Sequence, residues 1–517
     1  MVLGNAVVIK HSILGFFMLE LESYFKQFRT HTIGTDLISP NGHQVVYADW
    51  TASGKLYQPI ESFITTQLGP YVANTHTHTS LTGSTMTLAY EEARATIKKH
   101  VNASEQDMLI AGGSGVTSLI NKLQRLMGLR NHSAKKQTST SENDKPLVLV
   151  THMEHHSNHT SWNECDVTVE IIPPNEQGTP CLNQLALLLD KYQDRTLKIG
   201  SFTACSNVTG IFTPYREMAK LLHRAGGYCF VDFAASAPYV DIDMHPKDDK
   251  LAYLDAVFIS AHKFLGGPGA CGIMVFNQSL CVHDIPDNPG GGTVDWTTPW
   301  GEQRYVKNIE SREDGGTPPF LQMIKAALAI KLKEQMSTEK IHIRELSIAN
   351  YIYSALVEHN NVVVLEPKSR SRLSMISFYI PDLHHNLVVK LLCDRFGIQA
   401  RGGCACAGTY GHYLLGIDKA QSKVITDKID AGEAASKPGW VRISLHPINT
   451  DREIKFVVKA IKDIAKHGKT WQYDYICDTE TGEFASYRGD VAPVSLSSFS
   501  ALMKPKPTFW KAIFQRL

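Results

Sequence analysis

The sequence predicts an α/β fold whose large domain is built on a mainly parallel sheet. Three observations carry this reading. Between residues 105 and 280, short apolar runs alternate with segments of helical periodicity. The apolar runs are continuous instead of alternating with polar residues, as expected for strands covered on both faces. Glycine and proline stand at the boundaries, where helices start and stop. Strands alternating with helices in this way form βαβ units and a parallel sheet.

The elements follow in order. "DMLIA" (107–111) is the first strand, and "GGSG" turns it into a helix. Val116, Leu119, Ile120, Leu123, Leu126 and Met127 share one face of that helix. "PLVLVT" (146–151), "VTVEII" (167–172) and "LKIGSF" (197–202) are further buried strands. "PYREMAKLLHRAGG" begins a helix at Pro214 and stops it at Gly226-Gly227. "YCFVD" (228–232) and "DAVFIS" (255–260) close the series. Ligands of such sheets bind at the carboxyl edge of the strands, and the chemistry-bearing motifs fall there.

Composition narrows the function. With 517 residues the chain exceeds the ~250–300 at which a single core stops growing. Its 52 basic and 51 acidic residues leave a formal net charge of +1, which speaks against nucleic acid as the main partner. The ten cysteines are sparse and mostly lie singly in apolar surroundings, such as Cys229 and Cys271. That pattern implies a reduced, cytoplasmic protein and no disulfide scaffold. "SILGFFML" (12–19) is too short to span a bilayer and lacks a small-residue cleavage site, so no membrane association is expected. Polar insertions are expected at 131–146 and about 418–438, and an irregular, Pro/Ser-rich extension after about residue 470.

Four motifs bear chemistry. In "SAHKFLGGPGACG" (260–272), Lys263 follows a strand and enters a glycine-rich turn. Desolvation there would lower its pKa and make the amine nucleophilic, although a plain loop lysine fits the motif alone. In "FVDFAAS", Asp232 ends a strand where it can hold a protonated ring nitrogen or simply form a turn. "AGGSGVTS" (111–118) offers backbone N–H groups to an anion at a helix start. "THMEHHSNHTSW" (151–162) invites a zinc reading, but Glu154 precedes the His155/His159 pair instead of lying inside it, so no metal is expected.

Together these motifs resemble the pyridoxal-phosphate (PLP) enzymes of the class V aminotransferase group, specifically the cysteine desulfurase branch. The resemblance runs from about Tyr47 to about Glu453. It implies PLP fold type I, with a large PLP-binding domain (61–330) and a smaller α+β domain (331–470). Flanking them would be an N-terminal segment (1–60) packed on the small domain and a C-terminal extension (471–517). By the same resemblance Lys263 carries the cofactor covalently, and Ser260, His262, Ser114 and Gly115 bind its phosphate. Asp232 would pair with the pyridine nitrogen, His155 would stack on the ring, and Asn207 of "CSNVTG" would reach the ring hydroxyl. Thr317 of "DGGTPP" looks like a threonine that contacts the neighbouring subunit's phosphate, which implies a homodimer. Arg442 of "VRISLHP" matches the arginine that grips the substrate carboxylate, and Arg401 is implied as a second substrate-binding residue.

The stretch "RGGCACAG" (401–408) is explained by the same likeness. Desulfurases place a nucleophilic cysteine, followed by alanine, five residues after a loop arginine; here Arg401 leads to Cys406 and Ala407. Cys404 is additional, although "RxGCxC" is also similar to the desulfurase part of molybdenum cofactor sulfurases. The implied activity is removal of sulfur from an amino acid substrate, L-cysteine, through a persulfide on Cys406, with release of alanine to leave the sulfur for an acceptor protein. One departure stands out: Ala235 occupies the position where desulfurases usually carry glutamine. Two alternatives stay open. One is another class V aminotransferase, epimerase or lyase in which Cys406 is incidental. The other is a non-catalytic metal- or sulfur-binding protein using "CAC" and the histidines.

Overall fold

A computed structural model describes residues 20–130, 144–489 and 495–496. The apolar run at 12–19 and most of the 131–146 insertion lie outside the described residues, as does most of the chain beyond 489. Seven strands form the main sheet: β1 (Asp107–Gly112), β2 (Leu147–Thr151), β3 (Thr168–Ile172), β4 (Lys198–Thr203), β5 (Tyr228–Asp232), β6 (Ala256–Ser260) and β7 (Gly272–Asn277). Their order is β1-β7-β6-β5-β4-β2-β3. All pairings are parallel except those of β7, which runs antiparallel between β1 and β6. The sequence reading named every strand but β7. Only the turn of residues 261–271 separates it from β6, too short for the crossover a parallel strand requires.

The apolar runs are continuous because both faces of the sheet are covered. Leu109, Leu149, Val257 and Ile273 pack into one core cluster, while their neighbours Ile110, Val150, Phe258 and Met274 pack into another. Helices Leu81–His100 and Phe320–Gln335 contribute to the first. Helix Val116–Leu126 lays Leu119, Ile120 and Leu123 into the second. Burial on this scale stabilises by about 25 cal/mol per Å² of apolar surface, the main term holding the strand ends in place.

A second sheet orders β8 (Val363–Val364), β9 (Met375–Tyr379), β10 (Arg401–Gly403) and β11 (Trp440–Ser444) as β8-β9-β11-β10, all antiparallel. Helices Thr338–Val357, His385–Phe396 and Asp451–Trp471 supply Ile348, Leu391 and Ile461 to its core. The N-terminal strand Val46–Tyr47 pairs in parallel with Ile398–Gln399. Leu21, Phe25 and Phe28 pack with Trp50 and with Leu332, Leu373 and Ile448 from both halves of the chain. The 418–438 insertion folds into helix Lys419–Asp430, started by an Asp418/Gln421 capping box and burying none of its residues. The stretch after 470, expected to be irregular, begins as an antiparallel hairpin of Tyr475–Cys477 and Phe484–Ser486. It is held because Tyr475 and Phe484 join the second core and the Asn386 amide donates to Gly482 O at 2.8 Å. Among the described residues, no helix is long and apolar enough to cross a membrane.

Candidate active site

The carboxyl ends of β4, β5 and β6 open into one cleft, closed from the other side by β10 and β11. Gly115, His155, Asn207, Asp232, Ser260, His262, Lys263, Arg401, Cys406 and Arg442 all line it. Two expected residues do not. Ser114 is exposed and outside the cleft; the chain turns at Gly113 (φ +56°), so Gly115, Val116 and Thr117 face the cavity instead. Thr317 is likewise exposed, on a separate surface depression beside Gly113 and Ser118.

Lys263 sits just past β6, in a short helical turn at residues 261–263. Burial lowers its pKa to about 8; Asp232 opposes that shift, and Arg442 and Arg401 reinforce it. Asp232 ends β5, and its Oδ1 accepts the Ala234 N–H at 2.8 Å. Desolvation raises its pKa, against the pull of that N–H and of Lys263, so a cation beside it would offset a real cost. The imidazoles of His155 and His262 are both pushed down to about 4, mainly by burial and then by Lys263, and are neutral at physiological pH. His155 Nδ1 accepts the Ser157 N–H at 3.1 Å, which leaves the proton on Nε2.

An anion cradle lies at the start of helix Val116–Leu126, whose Gly115 N-cap provides no side-chain hydrogen bond to the free amides. A Cβ added at Gly115 would come 3.5 Å from Ser260 Oγ and 3.8 Å from His262 Nε2, in the space those groups share. Nearby, Asn207 is buried with its Nδ2 on Ala405 O at 2.7 Å and its Oδ1 without a partner. An orphaned acceptor of this kind calls for a donor from a ligand. A helix-start anion site, a lysine amine, a buried carboxylate and an orphaned amide oxygen suit a phosphorylated, aldehyde-bearing heteroaromatic ring.

The opposite wall carries two arginines facing each other across the β10–β11 ladder, Arg401 against Arg442. Like charges so placed repel. Asp49, which the sequence reading did not single out, lies between them: Oδ1 accepts from Arg442 Nη2 at 2.8 Å and Oδ2 from Arg401 Nε at 3.1 Å. Arg442 is buried, also donates to Asn207 O at 2.8 Å, and has an unpartnered Nε. Thr51, Ala52, Thr203 and Ser157 also line the cleft and were missed. The only sequence hint for the first two was their place just after the apolar "VVYA". Cys406 is exposed at the cleft, whereas Cys404 is half-buried against the cluster of Met153, Ala407 and Tyr410. Among the described residues no three His, Cys, Asp or Glu side chains converge as metal ligands. His156 and His159 instead reach Gly408 N at 2.8 Å and Thr409 Oγ1 at 3.2 Å.

Comparison with known proteins agrees with this architecture. A "probable cysteine desulfurase" of Halalkalibacterium halodurans is 28% identical over 371 residues, 71% of this chain and 85% of that protein. A protein of the same description from Staphylococcus epidermidis is also 28% identical, covering 71% of this chain and 84% of the relative. The solved apo structure of a cysteine desulfurase from Thermococcus onnurineus superposes with a TM-score of 0.66 at 22% identity, covering 85% of this chain and 98% of that one. A cysteine desulfurase from Escherichia coli gives the same values. These likenesses show the shared fold, PLP fold type I. The family model for aminotransferase class-V matches residues 46–457, so the chain belongs to that family of pyridoxal-phosphate-dependent enzymes.

Proposed function

We propose that this protein is a cysteine desulfurase, taking sulfur from L-cysteine and leaving alanine and a persulfide on Cys406. The observation that carries the reading is the position of Cys406: an exposed thiol lining the same cleft as Lys263 and Arg442. The curated relatives named above support it.

The residues divide the work by chemistry. Gly115, Ser260 and His262 would hold the phosphate of PLP, Asp232 its ring nitrogen, Asn207 its hydroxyl, and His155 its ring face. When bound, the cofactor supplies an electron sink that makes the substrate's Cα proton acidic. Lys263, whose amine is partly neutral near pH 8, moves that proton as general base and then general acid. Arg442 binds the substrate carboxylate, its guanidinium fixed by Asp49, which also pairs with Arg401. Cys406 thiolate attacks the substrate sulfur. A sulfur–sulfur bond forms, the Cβ–S bond breaks, its electron pair stays on carbon, and that carbon takes a proton to become alanine. The exposed rim position leaves the persulfide open to an acceptor protein. Thr317, exposed and away from this chain's own cleft, fits a contact across a homodimer. We read residues 61–330 and 331–470 as the large and small domains, and the cytoplasm as the compartment.

Ala235, at the cleft where desulfurases usually have glutamine, favours a second reading: amino-group chemistry of the same family without sulfur transfer. Incubation with L-cysteine and an excess of a dithiol reductant, which reduces the persulfide and frees its outer sulfur as sulfide, decides between them when alanine and sulfide are both quantified. Cys406→Ser should abolish sulfide release while Cys404→Ser retains it within about threefold. Alanine-free amino transfer to a keto acid, unaffected by Cys406→Ser, would establish the second reading instead.

A further inference from the structure

Two consecutive non-glycine residues, Ala405 (φ +51°) and Cys406 (φ +56°), occupy the left-handed region. Such backbone persists only where its surroundings over-determine it. Both carbonyls are captured. Ala405 O accepts from Asn207 Nδ2 at 2.7 Å, and Cys406 O accepts from the His156 backbone N–H at 2.8 Å. The His156 ring then closes the clamp from the other side: its Nε2 accepts the Gly408 N–H at 2.8 Å. Gly408 opens helix Gly408–Leu415, where no side chain caps the start, so this imidazole takes the place of a cap. Even a Cβ at Gly408 would come within 3.2 Å of Nε2, so the ring is fitted closely against the turn.

We propose that His156 is a positioning residue which pins the 404–408 turn and thereby holds Cys406 at the cleft. This rests on the reading of Cys406 as the nucleophile. It also accounts for a histidine that the sequence placed in a metal-like cluster and that does not itself line the cleft. Asn207 secures the other carbonyl, so the turn is held at one end by a cleft residue and at the other by His156, which does not line the cleft.

The test uses the cofactor-loaded protein and hydrogen exchange of a peptide covering residues 402–410, with the β5 peptide as a folding control. His156→Phe should accelerate exchange in the turn about threefold to tenfold, the factor one ordinary hydrogen bond is worth, and leave β5 protected. His156→Gln, whose amide oxygen reaches the same place, should stay within about twofold of the parent. Turnover of L-cysteine should fall in kcat with KM unchanged for Phe and recover for Gln. If His156→Phe fails to fold, His156→Ala removes the acceptor without adding bulk beside Gly408 and should speed exchange in the same peptide. Unchanged exchange in a folded variant, a Gln variant behaving like Phe, or faster exchange with unchanged kcat would each overturn the proposal. Failure of the desulfurase reading appears separately, as sulfide release that survives Cys406→Ser, and leaves the exchange result standing.

Discussion

Lys263 should take up pyridoxal phosphate with a pH dependence set by its surroundings and not by lysine's ordinary chemistry. Condensation with an aldehyde needs the neutral amine. With a pKa of about 8 in place of 10.5, roughly a quarter of the amine is neutral at pH 7.5, against about 0.1% for an exposed lysine. That difference is on the order of two-hundredfold in reactive amine, or about 3 kcal/mol. Lys263 opens on the cleft, and water there stabilises the ammonium, so a gain of about tenfold to two-hundredfold is expected. The assay traps the cofactor on the apoprotein with borohydride and follows the mass of the Lys263 peptide against pH. The initial rate should rise through a midpoint near 8. Asp232→Asn removes the stronger of the two anions that oppose the shift, the other being Asp49, so its midpoint should move lower. Linkage gives a second readout of the same sign. Because the folded pKa lies below the unfolded one, the folded apoprotein is penalised below about pH 8. It should gain stability as pH rises from there toward 10.5. A midpoint near 10, or an upward shift in Asp232→Asn, would refute the reasoning.

Three further outcomes are expected. Gly115→Ala adds a methyl at ordinary contact distance from Ser260, so urea stability of the apoprotein should change by less than about 0.5 kcal/mol while PLP affinity, followed by fluorescence titration, drops about tenfold. Asp49→Asn leaves the buried Arg442 with an uncompensated charge but keeps one acceptor; a loss of about 1–3 kcal/mol in urea denaturation is expected, most of it from Arg442 and little from the exposed Arg401 pair. Glu154 is fully buried, accepts from the Thr151 hydroxyl at 2.6 Å and the Asn158 amide at 2.8 Å, and burial pushes its pKa up to about 7. A raised folded pKa means stability present below about pH 4.5 and lost as pH rises through 7. Glu154→Gln should flatten that decline in urea midpoints measured from pH 4.5 to 8, and an unchanged slope would discard the assignment.

The sequence by itself determined the strands that carry the cleft and most of the residues that line it. Continuous apolar runs such as "LVLV" and "AVFIS" are consequences of burial on both faces, a constraint that acts residue by residue and so is visible in one dimension. Motifs at strand ends, including Lys263 and Asp232, inherit that legibility because the strand delivers them to one edge. Tertiary structure decided two matters and added the packing that bears on a third, the choice of thiol that the spacing after Arg401 already suggests. Asp49 became a counter-ion only because β10 and β11 bring Arg401 opposite Arg442, residues distant in the chain. The spacing after Arg401 points to Cys406, and the fold adds that the turn exposes this thiol while packing Cys404 against Ala407 and Tyr410. His156 found its partner across some 250 residues of sequence, where periodicity carries no information. Local patterns report what each residue must bury; they do not report which distant group will stand opposite it, because that is fixed by how the two sheets meet.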